Sequence, residues 1–208
     1  MSPMPELFSD PDGEDRDGAL EIPGAARKSR ADHDAAAFAG NEDRPPGPVN
    51  WNALGPEEAA VAWAELDAWV SWLRVAYGIS ALEIPPLWHR HDELVWELSA
   101  LHQHWLACYG DGASGSAPLA WHKDFDDARH RLRRWVAASG TQPGTDRPTL
   151  VATWPGEAPH QVEPAHDIVD RYADFTAMVR HDLRERQDAL ERFTSPLSRR
   201  RQAGREGA

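Results

Sequence analysis

The stretch Leu54-Gly-Pro-Glu-Glu-Ala-Ala-Val-Ala-Trp-Ala-Glu-Leu-Asp-Ala-Trp-Val-Ser-Trp-Leu-Arg-Val-Ala-Tyr77, closed by Gly78, decides the fold class. Pro56 suits a first helical turn, where its missing N–H would have no intrahelical partner, and Glu57 and Glu58 suit the positive end of the helix dipole. The spacing predicts a helix to about Tyr77 that stops at Gly78. At about 100° per residue, Trp63, Leu66, Val70, Leu73 and Tyr77 form one apolar stripe with Trp69 at its edge. Val61, Ala64, Ala68, Trp72 and Val75 form a second stripe on the opposite side. A helix apolar on two faces is either the centre of a bundle or a contact surface for another chain. Trp72 and Val75 are the candidates for that surface.

Working outward, Pro85-Pro86 forbids helix continuation and stiffens the next connection. A second helix is expected over about 91 to 109, with Leu94, Leu98, Leu101, Trp105 and Tyr109 inward. Gly110 to Ser116 is a flexible break. A third helix over about 118 to 138 presents Trp121, Phe125, Ala128, Leu132, Trp135 and Val136, while Arg129, Arg131, Arg133 and Arg134 match its negative end. Residues 140–163 read as a linker or long loop, in which 149–154 is a short apolar run suited to extended backbone. A last helix over about 164 to 193 places Ile168, Tyr172, Phe175 and Val179 on one stripe, and Leu190 and Phe193 rejoin it after an interruption at Arg186. That helix either docks only its first half or projects as an arm for a partner.

All ten tryptophans lie between Trp51 and Trp154, nine of them by Trp135. Each buried indole removes roughly 150–250 Å² from water, so the cluster marks one aromatic-cored unit over 49–139. The expected fold is all-α: three core helices and a long C-terminal helix, between disordered tails. Residues 1–48 carry eleven acidic and five basic side chains and too little apolar surface to offset the entropy of ordering. Residues 194–208 form a basic, disordered end.

The formal net charge is −12, and the folded body from 49 to 179 has eighteen acidic against nine basic side chains. Such a body repels phosphate backbones, and only the end from Arg180 onward, through Arg199, Arg200, Arg201 and Arg205, invites polyanions. Twenty arginines against two lysines fit a GC-rich genome. The chain has no apolar segment of membrane-spanning length and no signal-like start, so a cytoplasmic protein is expected. The single Cys108, beside Trp105, Leu106 and Tyr109, reads as a buried, inert thiol.

Ten histidines raise the question of a metal site. His102 and His104 project about 200° apart on one helix, and His91 and His102 are roughly 16 Å apart along it, so they cannot share an ion there. His122, Asp126 and His130 align on one helix flank, which a solvated polar face explains without a ligand. There is no nucleophile elbow, no phosphate-cradling loop, no His-Glu-x-x-His helix and no cofactor motif. Trp88, His89, Arg90 and His91 form the main surface candidate. A stiff loop delivers an aromatic ring, two imidazoles and a guanidinium before a helix N-terminus, a set suited to an anionic or aromatic group. The competing reading has Trp88 plugging the end of the bundle.

Together, Asn50-Trp51, Trp63-Ala-Glu-Leu-Asp-Ala-Trp-Val-Ser-Trp-Leu73, Pro85-Pro-Leu-Trp-His-Arg-His91, Glu97-Leu-Ser-Ala-Leu101, and Trp121-His122 to Arg131-Leu-Arg-Arg-Trp135 resemble an uncharacterised Trp-rich actinobacterial domain family. Its members are often carried on plasmids and other integrative elements. The resemblance covers about 49–136 and implies a genomic context, with no catalytic residues to transfer. The family pattern favours Cys where this chain has Leu87, which speaks against thiol or metal chemistry at that position.

Three functions are therefore weighed. The first is a non-enzymatic helical accessory protein of a mobile element, acting by protein–protein contact or self-association. The second is a nucleic-acid-associated maintenance or transfer factor using the basic end. The third is a small metal- or anion-binding enzyme around His89, His91 and His122.

Overall fold

In the computed structural model of the chain, residues 47–160 and 164–203 are described, with backbone alone from 195. Four α-helices make the described fold: α1, Pro56–Tyr77; α2, Asp92–Tyr109; α3, Ala117–Ser139; and α4, Arg171–Ala203. A short 3-10 turn, Trp88–Arg90, precedes α2. A two-residue antiparallel ladder joins β1, Thr145–Asp146, to β2, His166–Asp167.

The caps match the sequence signals. Gly78 lies at φ 61°, and both it and Ile79 return N–H groups to the Arg74 carbonyl. Gly140 closes α3 at φ 76°. A left-handed residue without a Cβ costs no steric strain there.

The core is aromatic, as expected. Trp51, Trp63, Trp69, Trp88, Trp105 and Trp121 are buried with Leu66, Leu73, Leu94, Leu98, Phe125 and Leu132. Trp121 stacks on Phe125 at 4.6 Å, and Trp51 lies 4.3 Å from Trp63. Trp69, placed at the stripe's edge by the sequence, is fully buried. On the second face of α1, Val61, Ala64 and Val75 remain exposed, while Trp72 is half-buried 5.2 Å from Trp105. Pairing indole N–H groups proves selective. Trp51 donates to Ser99 and Trp63 to Asp182, whereas the buried Nε1 atoms of Trp69, Trp88 and Trp121 have no hydrogen-bond partner among the described residues.

Several expectations change. Three of the four α3 arginines are engaged elsewhere than at its end: Arg129 and Arg133 converge on the buried Glu83, and Arg131 pairs with Glu97. Their side chains reach sideways to carboxylates on neighbouring elements, where a fixed full charge attracts more strongly than a helix end. The last helix starts at Arg171, seven residues later than its pattern suggests. His166 and Asp167 are drawn into the ladder, Ile168 donates to the Gly144 carbonyl, and Asp170 caps the helix by accepting from the N–H groups of Tyr172 and Ala173. Ile168 thus drops from the helical stripe, Tyr172 is exposed, and the buried seam is Phe175 with half-buried Met178 and Val179. The α4 backbone continues past the expected end at Phe193 to Ala203. The run 149–154 joins no strand or bridge among the described residues. Residues 1–46, where almost all of the acidic tail lies, fall outside the described residues, as do Arg205 and the side chains of Arg199, Arg200 and Arg201.

His102, 4 % exposed, stacks on Trp69 at 5.0 Å, and its Nε2 has no hydrogen-bond partner among the described residues. Burial lowers its pKa from 6.5 to about 4. The unfolded chain therefore takes up this proton near pH 6.5 and the folded chain only near 4, so stability falls as pH drops between them, by about 3 kcal/mol. A His102→Phe variant keeps the stack without the titrating nitrogen. Urea unfolding across that window is expected to show a flatter acid limb than the parent, and an unchanged limb assigns the loss to other groups.

Candidate functional site at the Pro-Pro turn

The turn after Pro85-Pro86 was the main sequence candidate, and the structure gives its four residues internal partners. Trp88 is in the core, edge-on to His89 and facing Phe175 of α4 at 6.4 Å. His89 is buried, and its Nε2–H donates to Asp174 Oδ1 at 2.8 Å. Arg90 grips the same carboxylate through Nε and Nη2. Burial would raise the Asp174 carboxyl, but the hydrogen bonds from Arg90 and His89 outweigh it and hold the group below the ordinary carboxylate range. Burial also pushes His89 down, against the opposing pull of Asp174. A neutral His89 that donates through Nε2 keeps only a lone pair on Nδ1, which agrees with that atom having no partner among the described residues.

His91 works in the other direction along the chain. Its Nε2–H donates to Asp146 Oδ1 at 2.9 Å, with both side chains almost wholly buried. Its Nδ1 lies 3.1 Å from Thr149 Oγ1, and that hydroxyl donates to Glu93 Oε1 at 2.7 Å. Asp146 also faces the Thr141 hydroxyl. Successive residues of one turn thus fasten two segments: His89 and Arg90 hold α4, and His91 holds β1.

Hydroxyl, imidazole and carboxylate in series also describe an activated nucleophile. Here the hydroxyl proton is directed to Glu93, and the imidazole has no exposed face, so the series reads as a lock between the linker and α2. Nor do His89, His91 and His122 converge. His122 is exposed on α3 with its Nε2 3.1 Å from the Tyr77 hydroxyl. Asp126 and His130 are exposed on the same flank, where His130 Nδ1 donates to the Asp126 carbonyl. Among the described residues, no group of three His, Cys, Asp or Glu side chains is placed to hold a metal ion. Cys108 is buried 3.7 Å from His104 Nδ1, and burial, with Asp124 nearby, pushes the thiol up, away from reactivity.

A cleft of about 320 Å³ opens beside the clamp, lined by Leu87, Arg90, His166, Asp170 and Asp174 among others. Its cation is already bound bidentately to Asp174, and Asp170 is committed to capping α4. The cleft therefore offers little free positive charge to the anionic ligand anticipated from the sequence.

The sequence reading missed the partners. Asp146, Thr149 and Asp174 lie 55 to 85 positions away from their histidines, beyond the reach of any local pattern. Arg186, read as an interruption, donates to the carbonyls of Trp51 and Leu54 and to Asp182, and Arg171 pairs with Asp67. A charged residue inside an apolar stripe was the available signal.

Compared with protein-family models, with curated proteins and with solved structures, the chain matches none.

Replacing Asp174 by Ala removes the acceptor of a buried imidazole and a guanidinium, at an expected cost of about 1–3 kcal/mol. Native-state hydrogen exchange is expected to accelerate across the first half of α4 while α2 and α3 keep their protection. Asp188→Ala, on the exposed second half, serves as the unaffected control. Equal acceleration in all helices would mean that the clamp supports the whole core and not α4 in particular.

Proposed function

We propose that this protein is a non-enzymatic helical interaction module, and that the outer half of α4 receives its protein partner. The observation that carries this reading is a change of environment along one helix. Up to Arg186, α4 is fastened to the body through Arg171, Asp174, Phe175, Asp182 and Arg186. From 187 to 194 every residue is exposed, including Leu190 at 48 % and Phe193 at 74 %. At 1.5 Å per residue α4 spans about 50 Å, more than the body beneath it supports. Apolar residues three apart on an unsupported helix suit insertion into a groove. An accessory role on a mobile element is part of this proposal, and it rests on the Trp-motif resemblance.

A second reading is phosphate contact by Arg199, Arg200 and Arg201. The helical backbone through these positions favours it, since it carries the arm on into the basic end. Salt-dependent DNA binding that disappears on deleting 194–208 supports it; binding unchanged by the deletion excludes the end as the contact.

A photo-crosslinking residue at position 193, in the full chain in its native host, is expected to yield one discrete protein adduct. Leu190→Asp should abolish that adduct while changing unfolding free energy by less than about 0.5 kcal/mol, as for an exposed site. Adducts at position 75 with none at 193 would move the interface to the second face of α1.

A further inference from the structure

Charge is segregated along the outer part of α4. Residues 192–205 include five arginines and no acidic side chain, and the helical backbone continues to Ala203. At the start of this run Leu190 and Phe193 are exposed. The other end of the chain has the complementary order. Leu7 and Phe8 are followed by Asp10, Asp12, Glu14, Asp15 and Asp17, and Arg16 is the one basic residue in 1–17. Arginine clusters receive acidic segments through charge-assisted hydrogen bonds, and apolar neighbours add the desolvated part of such a contact.

The two ends also meet in space. Gly47, the first described residue, donates its N–H to Gln103 Oε1 on α2 at 3.1 Å, and the carbonyl of Trp51 accepts from Arg186 at 2.7 Å. Arg186 is also where α4 leaves the body. The N-terminal segment therefore enters beside the root of the arm, within about 14 Å of extended chain from Trp51. Asp17 and Gly47 are thirty positions apart. That length spans at most roughly 100 Å, whereas the arm from 186 to 203 is about 25 Å long, so reach is no obstacle. A segment tethered there meets the arm at an effective concentration on the order of millimolar.

We propose that the acidic segment 6–17 of the same chain docks on the outer half of α4, with Leu7 and Phe8 against Leu190 and Phe193 and its carboxylates along the arginines that follow. The chain then carries its own competitor for that surface. Three observations select this occupant: opposite charge, the same order of apolar and charged residues, and an entry point at the root of the arm. A second copy has a net charge of −12 and is repelled at long range, whereas the tethered segment is already in place. The inference takes its surface from the partner-binding reading and adds its regulation, since a partner must displace the segment.

A nitroxide on Ser9→Cys in the full chain reads the contact directly, since the native Cys108 is buried. At low salt the amide signals of 190–203 are expected to lose at least half their intensity to paramagnetic broadening, while those of α2 and α3 keep theirs. The signals should recover in about 1 M NaCl, where screening confines charge attraction to about 3 Å. They should also recover when Asp10→Asn, Asp12→Asn, Glu14→Gln and Asp15→Asn are combined, changes far from the core that leave the fold intact. Absent broadening, broadening spread evenly over the body, or broadening indifferent to both salt and the four substitutions overturns the proposal. So does a mixed sample in which a spin-labelled chain broadens an isotope-labelled, unmodified one, because the contact is then between copies. The readout needs no partner: a chain that shows the broadening but gives no adduct at position 193 keeps this inference and loses the partner-binding reading.

Discussion

Two carboxylates, Asp146 and Asp174, reach from the C-terminal third of the chain into the turn behind Pro85-Pro86, and the attachment of that third depends on them. The ladder and α4 have little apolar surface to contribute, because among the described residues Phe175 is the one large hydrophobic residue of α4 that is buried. Their docking is polar: His89 and Arg90 on Asp174, His91 on Asp146, Asp67 on Arg171, and Asp182 on the indole of Trp63. Charge-assisted bonds of this kind are directional, so they fix where α4 sits more than they add to its stability. The stiffness of the two prolines keeps the three donors in place.

This arrangement also accounts for why the turn resembles a site. Aromatic, imidazole and guanidinium groups gathered before a helix have the composition of a ligand pocket, and in this protein the ligands are side chains of the same chain. Burial, lowered histidine basicity and a hydroxyl–imidazole–carboxylate series follow equally well from a need to satisfy buried polar groups. The distinguishing observation is where the protons go: Thr149 donates to Glu93 and His89 to Asp174, leaving neither poised toward solvent.

The sequence was most legible where structure is local. Periodicity placed α1, α2 and α3 within a residue or two, because Gly78, Pro85-Pro86 and Gly140 punctuate them and the apolar stripes are continuous. It was least legible where partners are distant. The beginning of α4 moved because Asp170 is the better cap and because β2 competes for His166 and Asp167, a pairing with β1 twenty residues back. Apolar periodicity put Trp69 only at the edge of the inward stripe and Trp72 on the opposite one, whereas Trp69 is fully buried on the flat imidazole of His102 and Trp72 is half-buried beside Trp105. Trp88, His89 and His91, candidates for binding in the sequence, are met instead by partners of the same chain, and those partners lie too far along it to be read locally.

The contact between Arg186 and the carbonyl of Trp51 spans 135 positions of chain. Closing so long a loop costs little more in entropy than closing one half as long, but it cannot occur until α4 has been synthesised and released. Until then Trp63 and Trp88 lack the helix that packs on them in the finished fold. During synthesis, therefore, the indoles that meet Phe175 and Asp182 are among the last of the core to be shielded.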